Sequence, residues 1–393
     1  MAEPQTQLTG VEKKLAKQGP RKLLALDSGG IRGLMTLEIL AEIERTLRRL
    51  YRQDDHFVLA DYFDYIGGTS IGAITAMCLS LGMSVDAIRE FYLRAAPAMF
   101  QKTPWWQRWR NKYRCDRLKA MIKTVIDMVP AEAPEKSGEL AGTLGSAKLR
   151  TLLLLVMRNA TTDSPWPVSN NPRARFNCNP NDPACNLKLP LWQLVRASAA
   201  APTFFEPEVI RLGPQTFVFD DGAMTPFGNP AFQLFLMATA CPYGLQWPTG
   251  EDRMLLVSVG TGSFSQAHKV APRGEDLLHL AARIPSILIG GSVSHQDCLC
   301  RIFGNCKAGD PIDAEIGDLI GDRGGPVHPK LFTYLRYNAD LTREGLAALG
   351  LTGIHVAGIQ RLDACANIQN LQAIGRAVAR KQIQAEHFLD FPP

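Results

Sequence analysis

The sequence predicts an α/β protein, and three stretches carry that prediction. Over residues 64–81 an aromatic and β-branched segment (with Tyr62 and Phe63 leading into Tyr65 and Ile66) is broken by Gly67 and Gly68. A small, apolar helical run follows from Ile71. Over residues 22–51 a short apolar strand passes through Ser28-Gly29-Gly30-Ile31-Arg32-Gly33 into a long helix. Leu37, Leu40, Ile43, Leu47 and Leu50 keep that helix's apolar stripe at helical spacing. Residues 149–157 are continuously apolar, which reads as a strand buried on both faces.

The remaining elements follow in order. Residues 1–20 are polar, carry Glu3, Glu12, Lys13, Lys14 and Lys17, and lack the apolar core of a secretory signal, so a flexible leader is expected. Ser84 is placed to cap a helix that runs through Met99. Residues 163–186, rich in Pro and Asn and without periodicity, read as a long surface loop. A small-residue helix over 191–201 is stopped by Pro202. Residues 216–223 form a short strand ending in Asp220, Asp221 and Gly222, and residues 253–262 a buried strand with a glycine-rich exit. Residues 275–289, 310–320, 341–349 and 359–383 read as helical, and 331–337 as an edge strand.

The chemistry begins at Gly68-Thr69-Ser70-Ile71-Gly72, a G-x-S-x-G pattern. A serine at the tip of a strand-to-helix turn is held in a strained conformation, with its Oγ clear of the sheet. Gly68 and Gly72 are needed there because a Cβ would collide with the tight turn or the neighbouring strand. The helix that follows directs free N–H groups and its positive dipole end toward the serine, which favours an alkoxide-like nucleophile. The pentapeptide alone occurs by chance in many chains. Its strand-before, helix-after setting is what points to catalysis.

The turn at residues 28–33 presents backbone N–H groups to an anion. A phosphate-binding P-loop would need Gly-Lys-Ser/Thr, which Arg32-Gly33-Leu34 does not supply. A dinucleotide fingerprint wants glycine where Ser28 stands and an acid at the end of the next strand, whereas Asp54 and Asp55 precede that strand. An oxyanion hole for acyl transfer explains the turn and the serine elbow together. None of His56, His268, His279, His295, His328, His355 and His387 lies in a strand-end motif, so a Ser–His–Asp triad has no evident histidine. An aspartate acting as base would need burial to lift it above its ordinary pKa of about 3.9.

Composition bounds the alternatives. A hydrophobic content of 46% suits one large or two modest globular domains. With 43 basic against 38 acidic residues there is no global case for nucleic-acid binding. The apolar segment 230–241 is too short to cross a bilayer, and the chain reads as soluble and cytosolic. Nine cysteines, an odd number, argue for reduced thiols rather than a disulfide scaffold. His295, Cys298, Cys300 and Cys306 read either as zinc ligands or as plain thiols, and their C-x-C spacing is not that of a common zinc knuckle. No metal or other cofactor is expected.

Four separated stretches agree with one family. Asp27-Ser28-Gly29-Gly30-Ile31-Arg32-Gly33, Gly68-Thr69-Ser70-Ile71-Gly72, the block 196–205 (Arg-Ala-Ser-Ala-Ala-Ala-Pro-Thr-Phe-Phe) and Asp221-Gly222-Ala223 resemble the signature blocks of patatin-like phospholipases. The strand exit at 258–262 is similar too. The resemblance spans roughly residues 22–262. It implies a three-layer α/β/α fold with a central, mostly parallel sheet, a catalytic domain over 21–340 and a helical extension over 341–393 packed on it. It further implies a Ser–Asp dyad that releases fatty acid from membrane phospholipids, with Ser70 as nucleophile and Asp221 as base. Gly29 and Gly30, joined by the Ile31 and Arg32 amides, would form the oxyanion hole. The family's first loop glycine is Ser28 here, and Ala223 stands where a further glycine is usual. Arg32 has two readings, a lipid-phosphate anchor or a side chain packed over the turn. Some bacterial members are antiphage effectors switched on by a nucleotide second messenger, which would make a small nucleotide a partner. Such an enzyme works in the cytoplasm, peripheral to the inner face of the membrane. A non-catalytic patatin-shaped binding protein is disfavoured by intact Ser70 and Asp221, and a dinucleotide oxidoreductase by Ser28 and the missing acid.

Residues 101–119 interleave Trp105, Trp106 and Trp109 with Arg108, Arg110 and Lys112. That composition suits a contact with a phospholipid bilayer, and also an ordinary amphipathic helix whose tryptophans pack on the domain. Each exposed Lys or Arg near an anionic surface contributes about 1 kcal/mol. If the segment docks, changing Arg108, Arg110 and Lys112 to Glu weakens co-sedimentation with anionic vesicles and slows hydrolysis there, while cleavage of a small soluble ester is spared. Parallel loss of both activities identifies a structural helix instead.

Overall fold

The computed structural model describes residues 8–99, 115–131, 140–179, 181–264, 277–313, 315–321, 326–363 and 365–393. Nine strands among them form one sheet: β1 (Arg21–Leu26), β2 (Tyr65–Thr69), β3 (Leu152–Asn159), β4 (Ser164–Ser169), β5 (Glu208–Leu212), β6 (Gln215–Asp221), β7 (Met254–Val259), β8 (Asn305–Ala308) and β9 (Thr333–Tyr337). Their order is β5-β6-β3-β2-β1-β7-β9-β8, with β4 also paired to β3. From β3 to β8 every neighbouring pair is parallel, while β4, β5 and β6 run antiparallel to their partners. The sheet is mixed and mostly parallel.

β1, β2, β7 and β9 are buried along their whole length. Side chains alternate across a strand, so such strands need cover on both faces. Leu24, Leu26, Ile66, Leu153, Leu155 and Val257 join one apolar cluster, and Leu23, Ala25, Tyr65, Leu154 and Leu256 the other. The first cluster is filled by α2 (Gly33–Leu50), α4 (Ile71–Ser80), α5 (Val85–Met99), α6 (Cys115–Met128), α7 (Leu191–Ser198) and α12 (Ile368–Gln382). The second is filled by α8 (Ala231–Thr239) and the end of α9 (Leu277–Phe303). The short helices α1 (Gly10–Ala16), α3 (Leu59–Tyr62), α10 (Arg343–Ala348) and α11 (Val356–Ile359) complete the α-helices among the described residues.

The helical C-terminal region is seated on α2. A Cβ added to Gly375 of α12 would lie 2.7 Å from the Met35 carbonyl, so the two helices touch backbone to backbone there. Glu38 of α2 is buried and receives the Gln372 amide at 2.9 Å and the Arg376 guanidinium at 3.4 Å. Further on, Phe388 and Phe391 are buried, and the Tyr62 hydroxyl donates to the Phe391 carbonyl at 2.8 Å. The Lys22 amine donates to the carbonyl of Pro392.

Several local expectations are corrected. Part of the stretch expected as a flexible leader is helix: Thr9 and Glu12 form a capping box for α1, and Arg21 holds the Lys14 carbonyl at 2.7 Å and that of Lys17 at 2.6 Å. The stretch expected as a surface loop contains β4, because Trp166 stacks on Phe219 at 4.6 Å. Residues 310–313 and 315–320 are turns and bridges rather than helix. Asp313 and Asp318 bond their own downstream amides, and Leu319 and Gly317 take positive φ of 52° and 70°. The strand β9 is interior, between β7 and β8, and the helix expected from residue 359 begins at Ile368.

Phe388→Ala should lower unfolding free energy by about 3 kcal/mol in a urea titration, since it empties a fully buried aromatic site. A loss under 1 kcal/mol would show that the C-terminal residues do not hold the domain.

Candidate active site

The register of β3 brings the site together. Val156 pairs with Thr69 of β2, and the next residue, Met157, pairs with Asp221 of β6. β4 takes residues 154–159 of β3 on the opposite edge, so β2 and β6 meet end to end on one edge. Ser70, one residue past β2, therefore faces Asp221, the last residue of β6. The Ser70 hydroxyl donates to Asp221 Oδ2 at 2.6 Å.

Ser70 has φ 58° and ψ −122°, in the left-handed region an L-residue seldom enters. It opens α4, whose first N–H groups have no helical acceptor. Gly68 and Gly72 fit as the sequence predicts. A Cβ at Gly68 would lie 2.1 Å from the Gly72 carbonyl, and one at Gly72 would lie 2.3 Å from that of Leu26. The second contact also shows that the elbow and the end of β1 adjoin.

Asp221 is 3% exposed and Ser70 9%. Burial pushes the Asp221 carboxyl up to about 7, against the hydrogen bonds from Ser70 and the Ala223 amide that favour its charged form. A carboxylate poised near neutrality is matched to accept a serine proton. Asp220 differs in kind. It lies on the other face of β6 and pairs with Arg158 at 2.7 Å.

The glycine turn sits beside the elbow. Gly29 and Gly30 have φ of 155° and 59°, and within the described residues neither N–H has an intramolecular acceptor. The Ile31 and Arg32 amides, expected to join them, are engaged: Ile31 donates to the Leu362 carbonyl at 2.9 Å, and Arg32 to that of Gly29 at 3.3 Å. The two glycines are thus the free donors of the turn. The buried Arg32 side chain holds the Gly29 and Gly262 carbonyls, each at 3.3 Å, and lies over the Phe264 ring, packed over the turn. Beneath the turn, Asp27 receives both Arg336 guanidinium nitrogens, at 3.0 and 2.6 Å. Burial alone would pull that guanidinium down, but Asp27 holds it above its ordinary range.

Sequence reasoning missed three supports. Arg336 carries no motif signal at all. The Ser198 hydroxyl accepts the Ser70 N–H at 3.0 Å, and the Ala200 carbonyl accepts the Asp221 N–H at 3.1 Å. Both lie in the block 196–205, whose signal was visible without a task attached. Trp105, Trp106, Arg108, Trp109, Arg110 and Lys112 lie outside the described residues. Cys298, Cys300 and Cys306 are free thiols, and burial pushes Cys306 up to about 11. Among the described residues no three His, Cys, Asp or Glu side chains form a metal-holding group.

Comparison with known proteins agrees with this geometry. The family model for patatin-like phospholipases matches residues 24–234, more than half of the chain, and the chain belongs to that family. A cGAMP-activated phospholipase of Vibrio cholerae serotype O1 is 31% identical over 221 residues, covering 54% of this chain and 56% of that protein. A cGAMP-activated phospholipase of Escherichia coli strain TW11681 is 30% identical over 220 residues, covering 54% of each. The 85/88 kDa calcium-independent phospholipase A2 of Mus musculus is 30% identical over 198 residues, covering 49% of this chain and 21% of that one. The chain thus spans about half the length of the two bacterial relatives it matches.

The two neighbouring acids should separate cleanly on substitution. Asp221→Asn should lower kcat for a soluble ester about as far as loss of Ser70 does, because members of a dyad act as a unit. Asp220→Asn should lower it less than tenfold (about 1.4 kcal/mol) through the loosened Arg158 pair. Equal losses would contradict the assignment of roles to the two side chains.

Proposed function

We propose that the chain is a phospholipase A-type lipid acyl hydrolase that cleaves fatty-acyl esters of membrane phospholipids. The observation that carries this reading is the 2.6 Å bond from the strained Ser70 hydroxyl to buried Asp221, beside two glycine amides without an acceptor among the described residues. Asp221 accepts the Ser70 proton as Oγ attacks the ester carbonyl. The carbonyl oxygen becomes an oxyanion and receives the Gly29 and Gly30 N–H groups, each contributing on the order of 3 kcal/mol. Asp221 then returns the proton to the departing glycerol oxygen. In the second half it takes a proton from water, whose oxygen attacks the acyl-serine; the acyl–Oγ bond then breaks, Asp221 returns the proton to Ser70 Oγ, and the fatty acid leaves.

A bilayer surface is the natural partner, since the acyl esters reside there. Among the described residues no helix is long and apolar enough to cross a membrane, which is compatible with docking from one side. The names of the Vibrio cholerae and Escherichia coli relatives support a small cyclic nucleotide as activator. On this reading the chain serves as an antiphage effector that degrades its own cell's membrane from the cytoplasmic face. A non-catalytic reading gains no support from a site whose nucleophile and base are both present and bonded.

Incubation with mixed phospholipid vesicles, with and without cyclic dinucleotide, followed by mass spectrometry of the lipids should release free fatty acid and lysophospholipid. Ser70→Ala should abolish both products with the fold retained. Release of head groups or diacylglycerol instead would refute acyl-ester cleavage. Asp221 must be ionised to act, and burial holds it near 7, so kcat should fall as pH drops below about 7. An acid limb near pH 4 would show a base of ordinary carboxylate strength.

A further inference from the structure

The block 196–205 reaches the site through its main chain and one hydroxyl, and the chemistry above gives it no task. Ser198 ends α7 and is fully buried. Its hydroxyl accepts the Ser70 N–H at 3.0 Å and donates to the Val156 carbonyl at 2.5 Å. Two residues later the Ala200 carbonyl accepts the Asp221 N–H at 3.1 Å. One turn therefore grips the backbone of both members of the Ser70–Asp221 pair. Val156, whose carbonyl accepts the Ser198 hydrogen bond, is also the residue that pairs with Thr69.

We propose that Ser198 is a positioning residue. Its hydroxyl ties the Ser70 backbone to β3 and, together with the Ala200 carbonyl, fixes the 2.6 Å separation of Ser70 Oγ and Asp221 Oδ2. The inference rests on the reading of Ser70 as nucleophile. A residue at φ 58° persists only where its surroundings over-determine it. The Ser70 N–H is buried at a helix start, where no helical carbonyl can receive it, so an outside acceptor must hold that conformation. The site needs one atom that accepts from Ser70 while donating to Val156. A hydroxyl does both at once, and alanine does neither. Without it the buried N–H is left unpaired, the elbow relaxes toward ordinary φ, and Oγ swings off the line to Asp221.

The test compares Ser198→Ala, Ser198→Thr and Ser70→Ala with the wild type on a short-chain soluble ester. Active sites are counted by stoichiometric fluorophosphonate labelling, so that misfolded protein does not enter kcat. Ser198→Ala should lose about tenfold or more in kcat at nearly unchanged KM, the consequence of a buried donor left unpaired. Ser198→Thr, which keeps the hydroxyl, should regain most of that loss. In Ser198→Ala the acid limb of the kcat profile should also move to higher pH, because the Ser70 bond that favours ionised Asp221 is weakened. A per-site kcat within twofold of wild type, or a loss without movement of the acid limb, would overturn the positioning role while leaving Ser70 as nucleophile. Turnover by Ser70→Ala would overturn that underlying reading and this inference with it.

Discussion

Two adjacent residues of β3 each hold the end of a different strand, Val156 the end of β2 and Met157 the end of β6. Strand ends separated by some 150 positions in sequence thereby meet at one edge, and the Ser70–Asp221 bond is a consequence of that register (|i−j| = 151). Register in a buried sheet is strongly specified, because a slip of one residue would turn every side chain to the other face. Here a slip would also exchange Asp221 for Asp220. The first is buried with Ser70, and the second faces Arg158 on the opposite side. Period-two geometry gives neighbouring carboxylates unlike environments, and burial does the rest by lifting Asp221 to about 7.

A second constraint shapes the donors. Among the described residues the Gly29 and Gly30 amides have no acceptor, and the flanking groups are tied elsewhere: Asp27 to Arg336, the Ser28 carbonyl to Thr261 Oγ1 at 2.5 Å, and the Ile31 amide to Leu362. A turn held at its margins presents its central N–H groups without reorganisation, the condition under which such donors stabilise a transition state most. The last of these ties comes from the C-terminal region. Its helix α12 packs against α2, the helix that leaves the same turn.

Much of this was legible in the sequence, for reasons that can be named. Strands buried on both faces leave unbroken apolar runs, which marked β1, β3 and β7. Gly68 and Gly72 were readable because a close backbone approach tolerates no Cβ, and both contacts are present. What stayed hidden depends on partners distant in sequence. β9 reads like an edge strand by itself and becomes interior only through β8. Residues 310–320 have helical composition, but Asp313 and Asp318 capture the amides a helix would need. Of the four consecutive amides expected at the oxyanion hole, that of Ile31 is taken by the Leu362 carbonyl, which nothing in the turn announces, and that of Arg32 closes on the Gly29 carbonyl. The Ser198 hydroxyl was visible as part of a motif, while its bond to Ser70 was not.

The claim on which the chemistry rests is that Ser70 is the attacking atom's residue and Asp221 its base. The most direct measurement is to quench a reaction with a slowly deacylating ester and map the modified peptide by mass spectrometry, for wild type and for Asp221→Asn. Acylation confined to Ser70 in the wild type, and strongly slowed by Asp221→Asn, is the expected result. An acyl group on any other residue, or equal acylation rates in the two proteins, would contradict it.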